Sequence, residues 1–147
     1  MRETPIYYYS SASGLVRRFA GHLNRDVRDL SDHDVRNSVT DGPWVLLTPS
    51  YKAGNGANDT LPKAVLRFLA SPQNRRHMVG VIGSGNRNFG EHYQAAARQI
   101  AQRSGRPMLF EFELSGTQED VVRCREILAE LDEKLDERHR IDHTERV

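Results

Sequence analysis

The sequence predicts a three-layer α/β sandwich: a five-stranded parallel sheet in the order 2-1-3-4-5, with helices on both faces. Three observations carry this. Short β-prone runs alternate with helix-period segments along the chain, the pattern of successive βαβ units. The runs at 6–9, 44–48 and 78–82 are nearly all apolar, as strands buried on both faces are. The runs at 27–30 and 108–114 mix or alternate apolar and polar residues, as edge strands do. Placing the first three inside and the other two outside gives that strand order.

Each element has its own justification. Ile6-Tyr7-Tyr8-Tyr9 forms the first strand and is stopped by Ser10-Ser11-Ala12-Ser13-Gly14. Leu15, Phe19 and Leu23, with Val16 beside them, recur at helical spacing, and Ser13 is placed to cap their helix. A weak strand around Val27 and Leu30 precedes a polar connector from Ser31 to Gly42. Trp44 to Thr48 is the third strand. The Gly- and Asn-rich loop from Pro49 to Thr60 leads to a helix carrying Leu61, Val65, Phe68 and Leu69, with Pro62 in its first turn. Met78 to Ile82 is the fourth strand, followed by a loop from Gly83 to Gly90. Tyr93, Ala96, Ala97, Ile100 and Ala101 fit a helical face, which Gly105 and Pro107 end. Met108 to Leu114 is the last strand, and a final helix runs from about Gln118 to Arg138. We expect one domain over residues 1–140 and a polar tail at 141–147.

Composition narrows the function classes. At 147 residues and 37% hydrophobic, the chain is long enough to bury a core of its own. No apolar run exceeds five residues, so no membrane association is expected, and no signal-peptide pattern opens the sequence. The single cysteine, Cys124, cannot form an internal disulfide, which points to a reducing cytoplasm. A net charge of +1 argues against a nucleic-acid partner. That charge is unevenly spread: residues 118–147 hold ten acids and six bases, leaving net +5 on residues 1–117. A basic body suits an anionic ligand or an acidic partner.

In the predicted order, a ligand site lies at the carboxyl ends of strands one and three, which is the flavodoxin-like arrangement. Three loops rich in Ser, Gly and Asn meet there, at 10–14, 49–60 and 83–90. Loop 10–14 runs into a helix start, where free N–H groups favour a phosphate. Ser10, Ser11 and Ser13 add hydroxyls, and Gly14 allows a tight backbone; simple helix capping is the alternative. Tyr51 and Phe89 are placed to stack on a flat ring, with Asn86 and Asn88 supplying donors and acceptors to its edge; Ser84, Gly85 and Gly90 are further candidates in the same loop. Otherwise the two rings plug the rim of the core. A phosphate cradle between aromatic walls suits a planar-ringed nucleotide, and FMN has that shape.

Rival signatures are missing or incomplete. The chain has no G-x-x-x-x-G-K-[ST] loop and no G-x-G-x-x-G after its first strand. Thr48 and Pro49 stand where a receiver domain needs an acid. His139 and His143 share helical spacing in a polar segment without a third ligand, so no metal site is expected. Cys124 falls on an apolar stripe with Val121, Leu128, Leu131 and Leu135, which makes it a packing residue rather than a nucleophile.

Several stretches together resemble one family. They are Tyr9-Ser10-Ser11-x-Ser13 with Arg18-Phe19, Pro49-Ser50-Tyr51, Val65-x-Arg67-Phe68-Leu69, and Asn74-Arg75. The strongest are Gly80-Val81-Ile82-x-Ser84-Gly85-Asn86-Arg87-Asn88-Phe89-Gly90 and Phe112-Glu113-Leu114-x-Gly116-Thr117-x-Glu119-Asp120-Val121. From Tyr8 to about Leu128 the chain is similar to the flavodoxin-like NrdI proteins of class Ib ribonucleotide reductase. That resemblance implies an FMN-binding electron-transfer flavoprotein fed by an unidentified reductase. It would supply superoxide, made from reduced FMN and O2, to the dimanganese small subunit, which then forms its tyrosyl radical. No catalytic side chain is implied, because the flavin holds the chemistry.

Two departures from the family stand out. Its phosphate loop continues with Glu-Asn-Thr, where this chain has Gly14-Leu15-Val16. Each lost hydrogen bond to a charged group costs roughly 1.5–3 kcal/mol, so weaker FMN retention is expected unless Arg17 or Arg18 compensates. A diverged, flavin-free binding module is the alternative reading. After Tyr51 the family favours a run of glycines; here Lys52-Ala53-Gly54 follows. Gly54 could take over a backbone flip that Ala53 resists. Lys52 facing the ring would favour an anionic reduced flavin, and Lys52 in solvent would not.

Overall fold

The computed structural model describes residues 3–11, 13–49, 62–85 and 95–145. Strand β1 (Ile6–Tyr8) is followed by α1 (Leu15–Gly21), β2 (Val27–Asp29), α2 (His33–Arg36) and β3 (Trp44–Pro49). Then come α3 (Lys63–Leu69), α4 (Pro72–His77), β4 (Met78–Gly85), α5 (Ala95–Ser104), β5 (Met108–Glu113) and α6 (Gln118–Glu145). All five strands are parallel, in the order β2-β1-β3-β4-β5, as the strand chemistry predicts. Among the described residues, no helix is long and apolar enough to cross a membrane.

Alternation along the strands sends side chains to two cores. Ile6, Tyr8, Val45, Leu47, Ile82 and Phe112 face α1 and α6, which contribute Val16, Phe19, Leu23, Cys124 and Leu128. Tyr7, Leu46 and Val81 face the other way, against Val65 and Phe68 of α3 and Ala97 and Ile100 of α5. On that second face Tyr7, Trp44 and Phe68 form an aromatic cluster with ring centroids 4.8–5.4 Å apart. On the first face Phe19 stacks on Phe112 at 3.7 Å. Gly116, at φ 73°, lies under that stack; a Cβ there would meet Phe19 Cδ2 at 2.8 Å.

The structure revises four local expectations. Strand β4 continues through Gly83, Ser84 and Gly85, because Gly83 and Ser84 pair with Thr48 and Pro49 on one side and all three pair with Glu111, Phe112 and Glu113 on the other. Two short helices interrupt stretches read as connectors or helix ends. Asp32 caps α2 by accepting from the amides of Asp34 and Val35, and Ser71 caps α4, with Pro72 opening it. The charged face of β5 is covered rather than bare, since Arg98 of α5 grips Glu111 with two bonds of 2.6 and 3.0 Å. Finally, α6 runs seven residues past Arg138, for a length of about 42 Å.

Candidate cofactor site at the carboxyl ends of the strands

The topology brings the ends of β1, β3 and β4 together, with Tyr9, Pro49 and Gly85 at the strand exits. The amide of Tyr9 still donates to the Leu47 carbonyl at 3.1 Å, so the first loop leaves the sheet beside β3. Of the residues the sequence nominates, Ser10, Ser11, Ser13, Gly14, Ser84 and Gly85 are described. Tyr51, Lys52, Ala53, Gly54, Asn86, Asn88, Phe89 and Gly90 lie outside the described residues.

The turn after β1 is built differently from the expectation. Ser13 does not cap α1. Gly14 holds the N-cap position at φ 73°, a conformation costly for a residue with a Cβ, and its amide donates to the Ser11 carbonyl at 3.0 Å. The capping hydroxyl comes from Ser10, which is buried and accepts from the Arg17 amide at 3.1 Å. Ser11 and Ser13 instead pair hydroxyl to hydroxyl at 2.8 Å on the exposed side of the turn. The amides of Leu15 and Val16, in the first turn of α1, have no acceptor among the described residues. The turn thus presents two hydroxyls and two amides, a donor set suited to an anion. Val16 packs into the core with Phe19 and Leu23, while Leu15 is half-buried.

Arg17 and Arg18 do not share one task. Arg17 is engaged with Asp29 at the end of β2, at 2.9 Å. Burial alone would raise the Asp29 pKa, but the hydroxyl and amide of Ser31 and the Arg17 guanidinium outweigh it and hold the carboxyl below its ordinary value. Arg18 lines a groove with His22, Gly116, Thr117 and Arg125 on the α6 side. At the end of β4, the Ser84 hydroxyl donates to the Leu114 carbonyl at 2.9 Å, and the Leu114 amide donates to the Gly85 carbonyl. Ser84 therefore ties β4 to the turn after β5.

Cys124 is fully buried, and that burial pushes its thiol pKa up to about 12, so it is an unreactive packing group. The pair Asn74-Arg75 is also structural. Asn74 is buried, accepts from the Thr40 amide at 2.7 Å, and donates to the Ser38 and Phe68 carbonyls. Arg75 donates to the last carbonyls of α3, those of Leu69 and Ala70. Sequence reasoning missed a groove of about 690 Å³ between α2 and α3, beside Tyr9, lined by His33, Arg36, Lys63 and Arg67. Its signal was the spacing of Lys63 and Arg67 on one helical face, readable only once α2 is known to lie opposite.

A doubly wound parallel sheet in this order defines a flavodoxin-like α/β protein. The chain is similar in fold to a short-chain flavodoxin associated with a non-canonical PDU bacterial microcompartment, at TM-score 0.63 and 19% identity over 91% of this chain and 99% of that one. It is similar also to oxidised flavodoxin 1 from Bacillus cereus, at TM-score 0.54 and 19% identity over 90% and 98%. The family model described as NrdI flavodoxin-like matches residues 7–126. Relatives called protein NrdI are 44% identical in Bartonella tribocorum, over 80% of this chain and 87% of theirs, and 40% identical in Escherichia coli, over 85% and 91%. The chain belongs to the NrdI family.

Proposed function

We propose that this chain binds FMN and works in the cytoplasm as a redox protein that helps class Ib ribonucleotide reductase assemble its radical cofactor. The observation that carries the reading is family membership across residues 7–126, a span that includes the whole stretch from Gly80 to Gly90. The donor set at residues 11–16 fits the phosphate of such a cofactor. Ser11, Ser13 and Gly14 hold it in this reading, with Ser10 bracing the turn from beneath. Tyr51 and Phe89 flank the ring, and Asn86 and Asn88 meet its edge, with Lys52, Ala53, Gly54 and Gly90 beside them. When bound, FMN supplies one- and two-electron chemistry, including reduction of O2 to superoxide. The electrons come from a reductase not identified by sequence, and the recipient is the dimanganese small subunit of the reductase.

The test begins with the visible spectrum of the purified protein and a titration with FMN. Fluorescence quenching that saturates at one FMN per chain is the expected result. The small subunit, loaded with Mn(II) and given reductant and O2, then develops a tyrosyl radical signal only when the flavin-bound protein is present. Absence of flavin bands and of saturable quenching overturns the reading. It would favour the flavin-free binding module that Gly14-Leu15-Val16 suggests.

A further inference from the structure

We propose that the groove between α2 and α3 is a docking site for an acidic protein segment, and that this segment belongs to the partner that meets the site at the carboxyl ends of the strands. Identifying that partner as the reductase small subunit rests on the proposed function; the chemistry of the groove does not. The groove opens beside Tyr9, at the exit of β1, so an occupant lies on the rim of the candidate cofactor site.

The charge arrangement carries the inference. Arg36 donates to the Ser31 carbonyl at 2.7 Å, and Arg67 donates to the Asn37 side-chain carbonyl at 3.0 Å. Both guanidiniums are thus positioned by neutral oxygens rather than by carboxylates. Lys63, one helical turn before Arg67, pairs with no carboxylate among the described residues. Of the acids on α2 and its cap, Asp32 accepts from the amides of Asp34 and Val35 and Asp34 lies 3.5 Å from His33, so neither pairs with Arg36, Lys63 or Arg67. By contrast, Arg17, Arg28, Arg98 and Arg123 each face a carboxylate at 3.1 Å or less.

The form of the groove selects a protein over a small anion. Its cations are half-buried or exposed, so one small anion gains little over its hydration in water. A segment carrying several carboxylates gains from all of them at once and is steered from a distance.

The test uses the full chain, Lys63→Glu, and the double variant Lys63→Glu/Arg67→Glu, with Arg67→Lys as the charge-keeping control. The first probe is a fluorescent oligo-glutamate peptide. Wild type and Arg67→Lys should bind it in a salt-sensitive way, and the double variant should lose roughly tenfold or more in affinity at low ionic strength. Equal binding by all variants overturns the proposal. So does a groove that inorganic pyrophosphate fills in preference to the peptide, or one that prefers single-stranded RNA. The second probe is the small subunit. A slower association rate for the double variant, converging with wild type at high salt, supports the assignment of the partner. Equal rates overturn that assignment. Failure of wild type to bind the subunit at all overturns the proposed function, and the peptide result alone then decides the groove.

Discussion

At the amino ends of the strands, buried polar side chains are held mostly by segments distant in sequence, with Arg25 Nε alone left without a hydrogen-bond partner among the described residues. Asp132 of α6 accepts from the amide and hydroxyl of Thr4 at 2.9 and 2.6 Å and pairs with Arg25 at 3.2 Å, with both side chains at least nine-tenths buried. Asn74 joins Thr40, Ser38 and Phe68, and its own carbonyl accepts from the Trp44 indole at 2.8 Å. At the carboxyl ends, the same kinds of groups turn toward each other or outward. Ser11 and Ser13 have one another, and the first amides of α1 have no described acceptor. The chemical type of a polar residue therefore says less than whether its partners are already in place. A buried group held by its neighbours braces the fold, and an exposed one without them is available to a ligand.

This contrast breaks if substitutions at the two ends act alike. The largest effect is expected from Asp132→Ala, which leaves Arg25 buried without its counter-charge. It should lower stability by about 3–5 kcal/mol in urea unfolding. Replacing Arg25 and Asp132 together with Met and Leu should cost less than that single change. Asn74→Ala should lose about 2–4 kcal/mol, because a buried amide and two carbonyls lose their partner. Neither change should alter FMN affinity in the protein that remains folded. At the other end, Leu15→Asn should tighten FMN binding by roughly 1.5–3 kcal/mol if it restores a donor to charged phosphate. Ser13→Ala should weaken FMN binding several-fold while moving stability by less than about 0.5 kcal/mol.

The smallest effect is acid-dependent. Asp29 has a pKa held below its ordinary 3.8, so its ion pair and hydrogen bonds stabilise the fold above that value. The contribution fades as pH falls through the lowered pKa. Wild type should exceed Asp29→Asn in urea midpoint near neutral pH, and the gap should close in strong acid.

The layered fold was legible because burial leaves its mark on strand composition. Trp44 to Thr48 could only be interior, and Glu111 and Glu113 could only belong to an edge. That the carboxyl ends of β1, β3 and β4 meet followed from the strand order alone. What sequence could not show was hydroxyl direction. Ser13 looks like a cap by position, but the positive φ of Gly14 turns the chain so that Ser10 reaches the Arg17 amide instead. The brace of Arg25 on Asp132 joins residues 107 apart and leaves no local pattern. The groove between α2 and α3 was illegible for a related reason. A four-residue helix has too little periodicity to reveal which face it turns to its neighbour.

The bond between Thr4 and Asp132 spans 128 positions and closes most of the domain into a ring. On a ribosome adding about 5–20 residues each second, Thr4 waits on the order of ten seconds for its partner to be made. Until α6 arrives, Arg25 has no counter-charge and the face of the sheet under Cys124 and Leu128 is uncovered. A nascent chain stalled before position 118, where α6 begins, would hold every strand of the sheet yet leave that face open to chaperones and proteases. Release of the last helix is then the event that makes the protein durable.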